Sequence, residues 1–180
     1  TAEASESASP TASATPDETI KYPAPNDADE MSAFTAPSGN ITCRLGEDSV
    51  SCSINEHSFV PTDGSCDNSA DKPFTVSVGK DSGASGNCES GYSTSGATLN
   101  YGSSANNGTF ACTSSESGIE CWNQITGKGF TVSRTEAIKK FRILDRDLSE
   151  QHDEMTPTMK VKRNVVFQRF QEDIDKLYQR

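Results

Sequence analysis

Six cysteines are the most reactive side chains in this 180-residue sequence: Cys43, Cys52, Cys66, Cys88, Cys112 and Cys121. Thiols can hold a metal, act as nucleophiles or oxidise to disulfides. A zinc site needs closely spaced ligand pairs such as C-x2-C, and the sequence has none. Only two histidines, His57 and His152, are present to complete one. The sequence therefore points to no metal and no cofactor. An even cysteine count in an acidic, Gly- and Ser-rich stretch is the pattern of a disulfide framework in an exported protein.

Six cysteines can pair in fifteen ways, and the spacing narrows them. Cys43 and Cys52 are nine apart, as are Cys112 and Cys121. Ile41 and Phe110 lie two before the first cysteine of each pair, and Val50 and Ile119 lie two before the second. That is the period-two alternation of strands. Gly46-Glu47-Asp48-Ser49 and Ser115-Glu116-Ser117-Gly118 lie between the strands, and each suits a hairpin loop built on a type I turn. Folding about these loops sets the cysteines opposite each other, with Cα atoms about 4.5 Å apart, at the short end of the disulfide range. Cys43–Cys52 and Cys112–Cys121 are thus expected, with Cys66–Cys88 left by elimination. The rival reading cross-links the two hairpins to each other.

Other chemistry is sparse. Neither His57 nor His152, the latter in the acidic run DLSEQHDEM, sits in a G-x-S-x-G context, so both read as structural or solvated. Glu47-Asp48 falls in a turn, where acids serve the backbone. The TGKGF stretch lacks the rest of a phosphate loop and its helix. Asn40-Ile-Thr and Asn107-Gly-Thr match N-glycosylation sequons. No catalytic residues are assigned, and the chain reads as a non-enzyme.

The elements that would carry these residues are short strands. In the first hairpin Ile41, Cys43, Leu45, Val50, Cys52 and Ile54 share a buried face, while Thr42, Arg44, Ser51 and Ser53 share a wet one. Further strands are expected at 73–78, 97–101 and 129–133, separated by Gly/Ser-rich loops. The fold class is mainly β, a small disulfide-stapled antiparallel sandwich or irregular barrel. Residues 34–134 form the β domain. Only 32% of the chain is hydrophobic and 7% aromatic, so the core is thin and the disulfides matter to stability.

Charge divides the chain further. Residues 1–34 hold seven acids and one lysine, and 35–130 hold ten acids and four bases. Residues 131–180 hold nine acids and eleven bases, within a net charge of −10. That acidity argues against nucleic acid or an anionic membrane surface. No apolar run approaches a bilayer span. Residues 1–33, rich in Ala, Ser, Thr, Pro and acids, read as a disordered tether, of the kind that follows a signal peptide or a lipid-anchored cysteine.

The β region carries a recognisable pattern. Phe34-x-x-Pro37-Ser38-Gly39-Asn40-Ile41-x-Cys43 is followed by Val50-x-Cys52-x-Ile54, Leu99-x-Tyr101-Gly102 and Gly108-x-x-x-Cys112-x-Ser114. Gly118-Ile119-x-Cys121-x-Asn123, Thr126-Gly127-Lys128-Gly129-Phe130 and Ser133-Arg134 complete it. This resembles a domain of unknown function found in secreted and lipid-anchored actinobacterial cell-envelope proteins. One position within TGKGF departs from the family, which more often has histidine there. The resemblance covers 34–134 and implies an exported, anchored β domain with no assigned activity.

Beyond it the period changes, giving a helical extension over 135–180. A helix over 134–148 would present Ile138, Phe141 and Leu144. A second presents Val166, Phe167, Phe170, Ile174, Leu177 and Tyr178 as one stripe. Such a stripe either covers the β domain or docks on another cell-envelope protein. The leading expectation is an exported, tethered, non-catalytic binding or accessory module. The alternative is an envelope glycan- or lipid-binding protein, or a hydrolase, using a cleft of the β domain, with Trp122, Tyr92 and Tyr101 as candidate stacking rings.

Overall fold

The computed structural model describes residues 19–61, 72–88, 91–135 and 139–178. It is a two-sheet β structure followed by two short helices. The chain forms strands β1 (Asp29–Glu30), β2 (Ala33–Thr35), β3 (Ile41–Leu45), β4 (Ser49–Ile54), β5 (Phe74–Gly79) and β6 (Ser85–Asn87). It continues through β7 (Ser104–Asn107), β8 (Phe110–Ser115), β9 (Gly118–Asn123), β10 (Lys128–Val132) and β11 (Lys139–Arg142). Helices α1 (Arg163–Arg169) and α2 (Gln171–Tyr178) follow. One sheet has the order β2-β3-β4-β5-β6 and the other β1-β7-β8-β9-β10-β11. All pairings are antiparallel except β1 with β7.

Alternation along the strands builds one core between the sheets. Ile41, Cys43 and Leu45 of β3 face inward with Val50, Cys52 and Ile54 of β4 and with Phe74, Val76 and Val78 of β5. Phe110 and Cys112 of β8, Ile119 and Cys121 of β9, and Phe130 and Val132 of β10 face them. The register sets Cys43 opposite Cys52 and Cys112 opposite Cys121. Both hairpin disulfides form as the spacing predicts, with Cα–Cα distances of 4.0 and 4.1 Å. The cross-linked alternative is excluded. Cys88 is also disulfide-bonded, while Cys66, its expected partner, lies outside the described residues.

Several expectations need correction. The second face of the first sheet is wet only in part: Arg44 is exposed and Ser51 half-buried, as expected, but Thr42 and Ser53 are buried, together with Thr35 and Thr75. The 91–99 stretch lies along it, with Tyr92 Oη 2.9 Å from Ser51 Oγ and the Ser95 N–H donating to Thr35 Oγ1 at 2.8 Å. The strand expected at 97–101 reduces to a bridge between Thr98 and Thr35.

Residues 19–33, read as part of a disordered tether, are ordered; 1–18 lie outside the described residues. The order comes from hydrogen bonds together with limited apolar packing, Met31 lying against the core and the Tyr22 ring over Gly127. The Lys21 and Tyr22 N–H groups donate to Gln124 O, and Ala24 N–H to Gln124 Oε1. The Trp122 indole donates to Tyr22 O at 2.9 Å.

The helix expected over 134–148 is also overturned. Residues 139–142 form β11 on the open edge of β10, with Phe141 opposite Gly129. A Cβ on Gly129 would lie 2.4 Å from Phe141 Cζ, so the ring occupies the space the glycine leaves. This cross-strand contact outweighs the local helical spacing.

Candidate functional site

Five segments far apart in sequence converge on a cleft of about 390 Å³, within the range of small-ligand pockets. The β2–β3 turn contributes Ala36 and Ser38 to Asn40, and the end of β4 leads into Asn55 and Glu56. Tyr101 comes from the loop before β7, Ser115 to Ile119 from the β8–β9 turn, and Arg134 from just beyond β10. The residues that carry the sequence resemblance therefore supply much of the wall: Ser38, Gly39, Asn40, Ile41, Tyr101, Gly118, Ile119 and Arg134.

Local chemistry fixes this wall. Gly39, at φ 72°, lets the turn close, with its N–H donating to Ala36 O at 2.9 Å. Asn40 then clasps the backbone beyond β4: its Nδ2 donates to Glu56 O, and its Oδ1 accepts from the Glu56 N–H, both at 2.8 Å. At the opposite turn Ser115 Oγ lies 2.8 Å from Ser117 Oγ and donates to Gly118 O at 3.0 Å. Gly118 has φ 142°, and a Cβ there would come within 2.4 Å of Val132 O. Tyr101 is held by the neighbouring Gly102 N–H, which donates to Ser114 O at 2.8 Å. Tyr101 as a whole stays 43% exposed.

Charge stands on the rim. Arg134 Nη2 contacts Glu56 Oε2 at 3.0 Å, and both side chains are largely exposed. Glu116 adds a second carboxylate at the hairpin tip. Glu56, Glu116 and Arg134 were not singled out as site residues from the sequence. The turn glycines around them were the available signal.

The other candidate residues lie elsewhere. His57 is buried and occupied, with Nδ1 2.8 Å from Phe59 O, Nε2 2.8 Å from Lys72 O, and its ring stacked on Phe59. His152 Nδ1 lies 2.7 Å from Ser149 Oγ in an exposed turn away from the cleft. Trp122 is buried, and Tyr92 is half-buried beneath the Arg44 guanidinium, 4.3 Å from its ring centroid. Of the three rings proposed for stacking, Tyr101 is the one that lines the cleft. The Cys43, Cys52 and Cys121 sulfurs lie within 4.8 Å of one another. As half-cystines they offer no thiolate to a metal.

The expected helical stripe is divided between α1 and α2, with Phe170 ending the first helix. None of its described side chains is buried: Val166, Phe170, Ile174 and Leu177 are half-buried, and Phe167 is 57% exposed. Tyr178 closes α2, and its side chain lies outside the described residues. An ion pair joins Arg142 of β11 to Asp173 of α2. Glu154, fully buried, ties the preceding loop to α1. Arg146 Nη1 and Nη2 donate to its carboxylate at 2.7 and 2.6 Å, Arg169 Nη1 at 3.0 Å and the Ser149 N–H at 3.2 Å. Chiefly through the Arg146 contact, its carboxyl is held at about 2 despite burial, which acts in the opposite direction.

No family model matches the chain, and no solved structure matches it. Part of the chain is similar to a long-chain-fatty-acid–CoA ligase, FadD15, of Mycobacterium tuberculosis (strain ATCC 25618 / H37Rv). The two are 55% identical over 47 residues, 26% of this chain and 8% of the ligase. The FadD15 of Mycobacterium bovis (strain ATCC BAA-935 / AF2122/97) matches to the same extent. The chain thus spans less than a tenth of these relatives' length, too little to establish catalysis.

Proposed function

We propose that this protein is a non-catalytic binding module of an oxidising, extracytoplasmic space, with the cleft as its ligand site. The observation that carries this reading is the convergence of five remote segments on a cleft whose walls are fixed by their own hydrogen bonds. Preformed walls reduce the ordering cost of binding. The two buried hairpin disulfides fit an oxidising compartment, and the composition of residues 1–18 supports a tether to the cell envelope. Among the described residues no helix is long and apolar enough to cross a membrane.

The test is a thermal-shift panel of sugars, peptides and lipids, repeated on Arg134→Ala. A ligand of the cleft raises the melting temperature with concentration, by the equivalent of about 2.7 kcal/mol at a hundredfold excess over Kd, and the variant loses the shift. A panel without any shift that depends on Arg134 refutes the reading.

A second reading has one observation in its favour, the exposure of Phe167 beside a half-buried stripe. Here the arm formed by α1 and α2 docks on another cell-envelope protein. Phe167→Ala with Phe170→Ala should abolish capture of that partner while the β sandwich stays folded. Unchanged capture removes this version.

A further inference from the structure

We infer that the cleft takes a neutral or amino-bearing oligosaccharide, an inference that rests on the binding-module reading above and names its ligand class. A sugar presents two kinds of surface, an apolar ring face and a rim of hydroxyls. Tyr101, with 43% of its surface exposed at the wall, offers an aromatic face for the first. The rim offers groups for the second. Glu56 and Arg134 touch through one nitrogen and one oxygen at 3.0 Å, and their side chains are 73% and 69% exposed. The other carboxylate oxygen and the remaining guanidinium N–H groups are thus placed to accept from and donate to adjacent hydroxyls.

The floor is rigid for the same ligand, because Asn40 already uses both ends of its amide on the Glu56 backbone. That clasp fixes the Glu56 backbone, so the ordering left for binding is confined to exposed side chains such as Glu56 and Arg134.

Charge selects among sugars. Two carboxylates, Glu56 and Glu116, line the cleft with a single guanidinium, Arg134, and the whole chain carries −10. A uronate or phosphate would be placed against two carboxylates with one guanidinium already engaged, which disfavours it. A neutral hydroxyl-rich chain suffers no such repulsion, and an amino group is attracted.

The experiment is an NMR titration of the full, isotopically labelled, oxidised chain. The probes are oligomers of glucose, mannose, galactose and glucosamine, with a polyuronate, a basic peptide and phospholipid micelles as other classes. The expected result is saturable movement of the Tyr101, Glu116 and Arg134 amides by at least one neutral or amino-bearing oligomer, with none from the polyuronate. Tyr101→Ala should weaken that binding at least tenfold. Glu116→Ala, at an exposed turn tip, serves as the second variant and should weaken the amino-bearing oligomer selectively. If the peptide or micelles move the cleft amides and no sugar does, the sugar inference is overturned while the binding module stands. If no class moves them, both are overturned.

Discussion

The β sandwich and the C-terminal arm hold their shape by different means. The sandwich buries Phe34, Phe74, Phe110 and Phe130 around two hairpin disulfides. The arm has a helix without one buried residue, and at its centre a carboxylate gripped by two arginines. One region is ordered by apolar burial and covalent closure, the other by charge. A chain with few apolar residues can thus order a second region, provided each buried charge has its partners. The two regions should respond to different insults.

The largest effect is expected from reducing agents or from replacing one disulfide. Cys112→Ala with Cys121→Ala should destabilise the sandwich by about 2–4 kcal/mol, read as a lower denaturant midpoint. If the arm unfolds first in that variant, the division between the regions is wrong. Next is the joint between them. Phe141→Ala uncovers the backbone at Gly129, should cost about 1–2 kcal/mol for a half-buried ring, and should speed amide exchange through 139–178 more than in β3 or β4.

Acid should separate the regions without any mutation. The Glu154 carboxyl ordinarily titrates near 4.5 and is held at about 2 in the folded arm. Between these values the unfolded arm binds the proton and the folded arm does not. The Glu154 contribution is therefore fully present above about 4.5 and is lost as the pH falls toward 2. Amide exchange in 145–170 should rise across that window while exchange in β8 and β9 stays slow; parallel loss of both refutes the contrast. The smallest effect is expected at Lys80, which sits 3.7 Å from the exposed Asp48. Lys80→Ala should change stability by less than about 0.5 kcal/mol in a thermal melt.

What the sequence disclosed follows the same division. The hairpins were legible because alternation and nine-residue cysteine spacing point to one register. Strand β11 was not, since Ile138, Phe141 and Leu144 also fit a helix, and only the bare backbone of Gly129 favours the strand. Residues 19–33 looked unfoldable because Ile20, Tyr22 and Met31 are their only large apolar residues, yet Gln124 accepts their N–H groups through both its backbone and its side chain. Glu154 lay in an acidic run that reads as solvated, and nothing local marks it as buried. The cleft was half legible: its turns were visible as Ser38-Gly39-Asn40 and Gly118-Ile119, while their meeting depends on how the two sheets stack.

The two hairpin disulfides touch: Cys52 Sγ lies 3.5 Å from Cys121 Sγ. This matters most while the protein is being made. The native partners are nine residues apart, whereas Cys52 and Cys121 are separated by 69. Each doubling of a loop adds about 0.6 kcal/mol to its closure, so an open chain oxidises preferentially within each hairpin. Once the sheets have stacked, that preference disappears, because the Cys43, Cys52 and Cys121 sulfurs all lie within 4.8 Å of one another. The order of oxidation and collapse therefore decides whether the nascent chain closes its own hairpins or bolts one sheet to the other.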